Sequence, residues 1–472
     1  MISILKMSDK KIKLGVLGCS NFLRKRIFDA ISKCEYGNIV CLASRDIEKA
    51  KKWAEEFNIE SYDSYERLLK RKDIDAVYIA LPIGLHKEWS IKAAEYEKHI
   101  ICEKSLAESF YSVIKIIESC KKNNVKLYEN IMIKNHPQHY KVLEMIKNDK
   151  IGKMFSIKSS FGHAPLEKND IRYKKELNNG ILNDVVCYPI FISRLFFNEE
   201  PLNVDCNLFI DNKTGVDIKG CIKLEFSGNK IAFFDFGFDN FYQNNYEIWG
   251  SEGLIRVNRA YSIGEDNPEI EYEYENKKEK IECEIVNQYA KTFDDFFLNI
   301  LDDKESKFDE MIKIAKIMEA CRISNKENRK INLDEINENK KVVVVSGYFD
   351  PLHIGHLELF ELSKKLGDKL IVILNNDKQV LMKRGKAPFM NQEQRKKLLE
   401  SIKYIDEVFI SIDGDRSVCE SLKFLKPDIF ANGGDRHQGE IPESKLCREL
   451  GIKMVDGQGE KIASSRDYYI NN

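Results

Sequence analysis

His353 and His356, three residues apart in Ser346-Gly347-Tyr348-Phe349-Asp350-Pro351-Leu352-His353-Ile354-Gly355-His356, are the side chains of this sequence with the plainest chemical purpose. Before them runs Lys341-Val342-Val343-Val344-Val345, a short apolar segment that reads as a buried parallel strand. After them Leu357, Leu359, Phe360, Leu362 and Leu366 recur at helical spacing, and Gly367 closes the helix. The string is therefore a strand-to-helix turn, where α/β sheets bind phosphate because the first N–H groups of the helix are unpaired and its dipole favours an anion. Two imidazoles at that mouth can donate hydrogen bonds to a triphosphate. A tight loop with capping histidines is the plain alternative, and the full string between a strand and a helix argues against it.

A second turn of this kind lies near the amino end. Gly18-Cys19-Ser20-Asn21 follows an apolar run at residues 11–17 and opens a helix through Ala30, so a dinucleotide pyrophosphate would rest on that helix start. Ser20 and Leu23 occupy the second and third glycine positions, so this motif alone is equally a plain turn. The strand at residues 39–43 ends in Ser44-Arg45, where a coenzyme without a 2′-phosphate usually meets an acid. A hydroxyl and a guanidinium suit a 2′-phosphate, so NADP(H) is expected ahead of NAD(H).

Strands at 11–17, 39–43, 76–80 and 99–102 alternate with helices, which predicts a doubly wound parallel sheet. From Met154 the runs 154–161, 204–210, 220–226, 230–236, 246–249 and 254–257 alternate with period two, which predicts a largely antiparallel sheet. Residues 241–246 read as a turn in preference to a carbohydrate-contacting edge, and 269–284 as an exposed hairpin. Helices at 287–301 and 308–322 are expected to pack back on the first sheet, and the polar stretch 325–341 reads as a linker. Beyond it, strands at 369–374 and 407–410, a basic loop Lys383-Arg384-Gly385-Lys386 and a helix at 391–402 carrying Arg395 make a second doubly wound sheet. The fold class is α/β: an N-terminal Rossmann domain (1–128), an α+β domain with a mostly antiparallel sheet (129–324), the linker, and a separate small Rossmann-like domain (342–472).

The 472 residues suffice for about three domains, and 43% hydrophobic content fills their cores. A net charge of -1 with both signs interspersed points to neither nucleic acid nor membrane as a partner. No run of about 18 apolar residues and no signal-peptide pattern is present. The 12 cysteines include no Cys-x-x-Cys pair, which argues against structural zinc and fits free thiols in a reducing cytoplasm.

Glu103-Lys104, Glu129-Asn130-Ile131-Met132, Lys134-Asn135-His136-Pro137-Gln138, Asn179 to Asp184 and Cys187-Tyr188 resemble the glucose–fructose oxidoreductase and inositol dehydrogenase family over residues 11–332. The resemblance implies an essential Lys104 with Asp184 and Tyr188, and a coenzyme site of Gly18, Ser20, Asn21, Ser44, Arg45, Pro82, His86 and Glu103. Ser105 stands where the family has proline after the lysine, and Val186 where glycine is common. The chemistry is coherent: hydride transfer to a carbonyl carbon needs a proton donor for the developing alkoxide, which Tyr188 or Lys104 provides. An adjacent ammonium is expected to lower the phenol pKa, and Asp184, one helical turn before Tyr188, to orient substrate hydroxyls. Pairing of subunits into a dimer or tetramer is a further implication of the family.

The carboxy-terminal part resembles the cytidylyltransferase-like nucleotidyltransferases of the glycerol-3-phosphate cytidylyltransferase and heptose-phosphate adenylyltransferase group. That resemblance implies His353, His356 and Lys386 as catalytic, and Gly347, Tyr348, Phe349, Asp350, Lys383, Arg395, Gly434, Asp435, Arg436, Ser464 and Ser465 as nucleotide-binding. It also implies Mg2+ as a companion of the triphosphate, with no dedicated protein metal site. The expectation is a bifunctional cytoplasmic enzyme that reduces a sugar phosphate to an alditol phosphate with NADPH and joins it to CTP, giving a CDP-alditol for surface polysaccharide. The alternatives are ATP in place of CTP, reduction of a nucleotide-linked keto-sugar, and a first half that only binds coenzyme.

Overall fold

A computed structural model of the chain describes residues 11–167, 169–263, 267–337, 341–433 and 441–458. The chain divides into two compact units that meet between Ile336 and Asn337.

The first unit opens with six strands: β1 (Ile12–Leu17), β2 (Gly37–Ala43), β3 (Glu60–Tyr62), β4 (Ala76–Ile79), β5 (His99–Glu103) and β6 (Leu127–Asn130). They form one parallel sheet in the order β3-β2-β1-β4-β5-β6. Every residue of β4 is buried because helices cover both faces, which is why its sequence is continuously apolar. Strand order reverses between β1 and β4, so the crevice beyond their carboxyl ends is the place for a ligand. The helix Gln288–Leu301 returns to this sheet as expected, with Phe293 edge-on to Tyr78 at 5.2 Å.

Nine strands build the second sheet: β7 (Met154–Gly162), β8 (Asn203–Ile210), β9 (Asp217–Glu225), β10 (Ile231–Gly237), β11 (Gln243–Gly250), β12 (Gly253–Asn258), β13 (Glu269–Tyr274), β14 (Lys277–Ile281) and β15 (Ile331–Asn332). Their order is β14-β13-β12-β11-β7-β10-β9-β8-β15, antiparallel except where β7 pairs with β10. β11 begins at Gln243, so only Phe241 and Tyr242 of the stretch 241–246 lie outside a strand.

The linker reading needs correction at its start. The helix Phe308–Glu327 runs past residue 322, β15 pairs with β8 through Ile331–Val204, and Ile331, Leu333 and Ile336 are buried. Three apolar residues spaced among charges suffice to dock an edge strand and a turn, so the stretch to Ile336 belongs to the first unit.

The second unit contains β16 (Val342–Gly347), β17 (Lys369–Leu374), β18 (Glu407–Ile410), β19 (Ile429–Ala431) and β20 (Lys453–Val455), all parallel, in the order β18-β17-β16-β19-β20. Its switch point lies between β16 and β19, directly above which the two histidines emerge. No described helix is long and apolar enough to cross a membrane.

Two fully buried histidines make the first unit acid-sensitive. Burial lowers His136 to about 4 and His139 to about 3, well below an unfolded value near 6.5. The unfolded chain therefore binds more protons below pH 6.5, so their contribution is complete above that pH and is lost as pH falls toward 4. With both sites out of step, the slope is on the order of 2–3 kcal/mol per pH unit. The urea midpoint of the first unit is expected to drop between pH 7 and pH 5, and an unchanged midpoint contradicts the assignment.

Candidate active sites

At the switch point of the first sheet Gly18 has φ 110°, and a Cβ there would lie 2.7 Å from the Ala80 carbonyl oxygen. Only glycine lets the β1 turn pass this close to the end of β4. Ser20 accepts the Leu23 N–H at 3.1 Å and so caps the first helix, leaving Asn21 exposed at its start. Ser44 is buried at the end of β2 and accepts the Asp46 N–H at 3.1 Å, while Arg45 is exposed beside it. Pro82 follows β4. His86 is fully buried, with Nδ1 2.9 Å from the Ser105 carbonyl and Nε2 2.8 Å from the Leu81 carbonyl. It therefore ties the loop after β4 to the loop after β5 and does not face the crevice. Glu103 accepts from the Tyr78 hydroxyl and, at 2.6 Å, from Asn130.

Lys104 directly follows β5, and its peptide bond to Ser105 is cis. The Lys104 ammonium donates to the Asp184 carbonyl and, at 2.8 Å, to its carboxylate Oδ1. It also lies 5.4 Å from the Tyr188 ring centroid. The sequence-predicted trio is thus one cluster, contributed by β5, the short helix Ile181–Val185 and the helix Cys187–Phe197. Two residues that the sequence gave no reason to include complete it: the other oxygen of Asp184 accepts from Arg172 Nε at 2.9 Å, and His163 Nε2 is 3.6 Å away. Both stand on or just before an irregular loop without periodicity or motif, so only the long-range fold brings them here.

The charges of this cluster are settled by its ion pairs. Burial opposes the Asp184 carboxylate, but Lys104, Arg172 and His163 outweigh it and hold the acid well below the usual carboxylate range. Burial likewise pulls on the Lys104 ammonium, and Asp184 overrides it, so the lysine stays charged. The expected lowering of the Tyr188 phenol is not found. Burial pushes it well above its ordinary value, because the ring stacks on Tyr261 at 5.8 Å and the nearby ammonium is already neutralised by Asp184. Tyr188 is therefore a protonated donor.

A cleft of about 1330 Å³ lined by Ile12, Asp75, Lys98 and His99 sits at the opposite end of the sheet, where the strands begin. Size does not mark the chemistry here; convergence of charged groups at the strand ends does.

In the second unit His353 caps the helix Ile354–Lys364, and its backbone N–H donates to His356 Nδ1 at 3.3 Å. That bond makes Nδ1 the acceptor and leaves Nε2 to carry the proton. The two rings stack at 3.6 Å. Phe349, at φ 47°, fills the space beside Gly347, and the Asp350–Pro351 bond is cis. Lys383 lies 4.0 Å over the Tyr348 ring, and Lys386 is exposed just past the helix Asp377–Arg384.

Asp350 and Arg395 have a different place from the one expected of nucleotide ligands. Asp350 is fully buried and accepts from Arg384 at 2.8 Å, Phe389 N at 3.0 Å and Met390 N at 3.2 Å. Arg395, also fully buried, donates to the carbonyls of Tyr348, Asn375 and Met390 and to the Asp377 carboxylate. A buried charge needs such partners, and these use the groups a nucleotide would need. Together the two residues fasten the basic loop to the histidine loop. Gly434, Asp435, Arg436, Ser464 and Ser465 lie outside the described residues.

Comparison with known proteins agrees with this division. Residues 12–131 match the oxidoreductase family with an NAD-binding Rossmann fold, 139–256 the GFO/IDH/MocA C-terminal domain, and 344–465 the cytidylyltransferase-like family. A dTDP-3,4-didehydro-2,6-dideoxy-alpha-D-glucose 3-reductase of Saccharopolyspora spinosa is 36% identical over 54% of this chain and 76% of its own. The enzyme of that name from Actinomadura kijaniata is 30% identical over 66% of this chain and 95% of its own. The crystal structure of KijD10, a 3-ketoreductase from Actinomadura kijaniata in complex with NADP and TDP-benzene, superposes with TM-score 0.65 at 29% identity, covering 67% of this chain and 98% of that one. Fold and sites define a bifunctional enzyme, an oxidoreductase followed by a nucleotidyltransferase. Its first unit belongs to the GFO/IDH/MocA oxidoreductase family, and its second is a cytidylyltransferase-like domain.

Proposed function

We propose that the first unit reduces a sugar ketone with NADPH and the second transfers a cytidylyl group from CTP to a sugar or alditol phosphate, the two steps leading to one activated sugar for surface polysaccharide. The observation that carries the reductase half is the Lys104–Asp184 pair beside a protonated Tyr188 at the coenzyme end of β5. The residues fit the coenzyme: Gly18 holds the β1 turn against the end of β4 just before the helix start where a pyrophosphate would rest, and Arg45 is exposed where a 2′-phosphate would lie. When bound, the coenzyme supplies the hydride. The Tyr188 hydroxyl gives its proton to the carbonyl oxygen as negative charge develops there, and the Lys104 ammonium stabilises that charge. Asp184 keeps Lys104 charged and aimed. Arg45→Ala is expected to raise KM for NADPH at least about tenfold and leave that for NADH unchanged, in line with loss of a charge-assisted phosphate contact. Equal effects on both coenzymes sink the assignment.

In the second unit His353 and His356 would hold the triphosphate, with Lys383 and Lys386 neutralising the incoming phosphate or the departing pyrophosphate. Among the described residues no group of His, Cys, Asp or Glu is gathered for a metal, and both Asp350 oxygens are engaged. Mg2+, bound with the triphosphate, would supply neutralisation of its charge.

The order of the steps follows from the substrate of the reductase. The relatives named for reducing dTDP-linked keto-sugars favour reduction after nucleotidyl transfer; reduction of a sugar phosphate first would give a CDP-alditol. Incubation with NADPH, Mg2+, CTP or ATP, and a panel of ketose phosphates and nucleotide-linked keto-sugars decides. NADPH oxidation with a nucleotide-linked ketone and CTP-dependent pyrophosphate release are expected. Absence of both from every combination overturns the proposal, and release from ATP alone replaces the base.

A further inference from the structure

Arg172 is held far more firmly than its place in a polar loop would suggest. It sits in the short turn Ile171–Tyr173, which Asp170 caps by accepting the Arg172 N–H at 2.9 Å. The same Asp170 accepts from Nη1 at 3.1 Å, and Asp184 accepts from Nε at 2.9 Å. Nε and Nη1, on opposite sides of the guanidinium, are thereby each held by a carboxylate. The Nη2 group makes no hydrogen bond among the described residues, and the side chain is 36% exposed. A planar cation held at two of its three nitrogens has little conformational freedom left to lose when the third, Nη2, binds an oxyanion.

Its position is equally constrained. Arg172 shares the Asp184 carboxylate with Lys104, so its guanidinium stands across that one carboxylate from the ammonium. The loop that carries it touches both sides of the crevice. An added Cβ on Gly84, in the turn after β4, would lie 3.0 Å from the Leu177 carbonyl oxygen. On the other side, the Tyr173 hydroxyl donates to Asp239 at 2.7 Å, just beyond β10. The charges of Lys104, Arg172, Asp170 and Asp184 cancel as a set, so the cluster itself demands no counter-ion. What it offers is directional N–H donors beside the reaction centre.

We propose that Arg172 binds the phosphate group of the reductase substrate and thereby selects phosphate-bearing ketones over free ones. The inference rests on the reductase reading above. It adds the chemical feature common to both orders of reaction, since a sugar phosphate and a nucleotide-linked sugar each place a phosphate near the ketone. Arg172 is a specificity-determining residue here, and Tyr188 keeps the proton transfer.

The test compares the full chain with its Arg172→Ala and Arg172→Lys variants on three ketones: a free ketose, its phosphate, and a nucleotide-linked keto-sugar. For the substrates bearing phosphate, Arg172→Ala raises KM about 30-fold beyond its effect on the free ketose, as for a lost charge-assisted pair, and Arg172→Lys recovers part of it. The free ketose loses only what the weakened hold on Asp184 costs, and the preferred phosphate-bearing substrate tells whether a monoester or a diphosphate is read. Equal losses on all three ketones overturn the proposal, because Arg172 would then act only by holding Asp184. A second measurement does not need turnover: inorganic pyrophosphate titrated into NADPH-loaded protein, read by the coenzyme's fluorescence in the first unit. Weaker binding in Arg172→Ala supports the site even if no ketone is reduced, in which case the reductase reading alone falls. Unchanged binding with coenzyme still held overturns the site.

Discussion

Replacement of Lys104 by alanine lowers NADPH-dependent reduction by about 10²- to 10⁴-fold, the range of a lost general acid or charge stabiliser, and leaves CTP-dependent pyrophosphate release as it was. The size follows from what the ammonium neutralises. Asp184 is half-buried, and among the described residues Lys104, Arg172 and His163 offset its charge. Without Lys104 the developing alkoxide faces a carboxylate and a phenol whose pKa burial has already raised, so the proton is given up less readily. Tyr188→Phe is expected to cost a similar factor in kcat with little change in KM, because the hydroxyl matters chiefly in the transition state. Steady-state kinetics of both variants alongside the transferase assay are the check. A Lys104→Ala variant that reduces at the parent rate removes the cluster from catalysis. One that loses both activities points to unfolding instead, which Arg45-dependent NADPH binding would reveal.

The parts of the molecule that were legible in the sequence are local ones. Gly18 and the 346–356 string each lie between an apolar run and a helical repeat, so strand, turn and helix follow from a dozen neighbouring residues, and the switch points fall where such turns are found. The parts that were not legible depend on pairing over long distances. Arg395 stands in Gln392-Glu393-Gln394-Arg395-Lys396-Lys397, a run that reads as a solvated helix face, yet it is the one residue of that run turned fully inward. Its partners are carbonyls of three other segments, which no spacing could announce. Asp350 is a second case: it stands among uncharged neighbours in the string, and its oxygens face the Arg384 guanidinium and backbone N–H groups some forty residues away. The phenol of Tyr188 shows the same limit for electrostatics. The resemblance that puts Tyr188 beside an ammonium gave the sign of one contribution, and the outcome was set by burial and by a carboxylate that had claimed the ammonium first.

His356→Ala is expected to lower nucleotidyl transfer by about 10²- to 10³-fold, the usual effect of removing one preorganised donor from a charged transition state, with reduction by the first unit unaffected. The donor in question is a neutral imidazole. Burial and the adjacent His353 lower the His356 pKa to about 3, and Nδ1 is occupied as an acceptor, so Nε2–H is the group available to a phosphate oxygen at any physiological pH. Two results follow from that state. The kcat/KM of the parent enzyme, which reports ionisations of the free protein, shows no His356 titration between pH 5 and pH 8. His356→Asn, which retains a neutral N–H donor, recovers part of the rate, whereas a side chain needed as an imidazolium could not be replaced in this way. The stack at 3.6 Å supplies a direct probe. His353→Ala uncovers His356 and removes the neighbouring ring that disfavours its charge, so the His356 pKa rises toward the ordinary value near 6.5. Nuclear magnetic resonance titration of the two ring signals measures that rise. A His356 pKa already near 6.5 in the parent, with an acid limb that vanishes in His356→Asn, would instead make the imidazolium the working form.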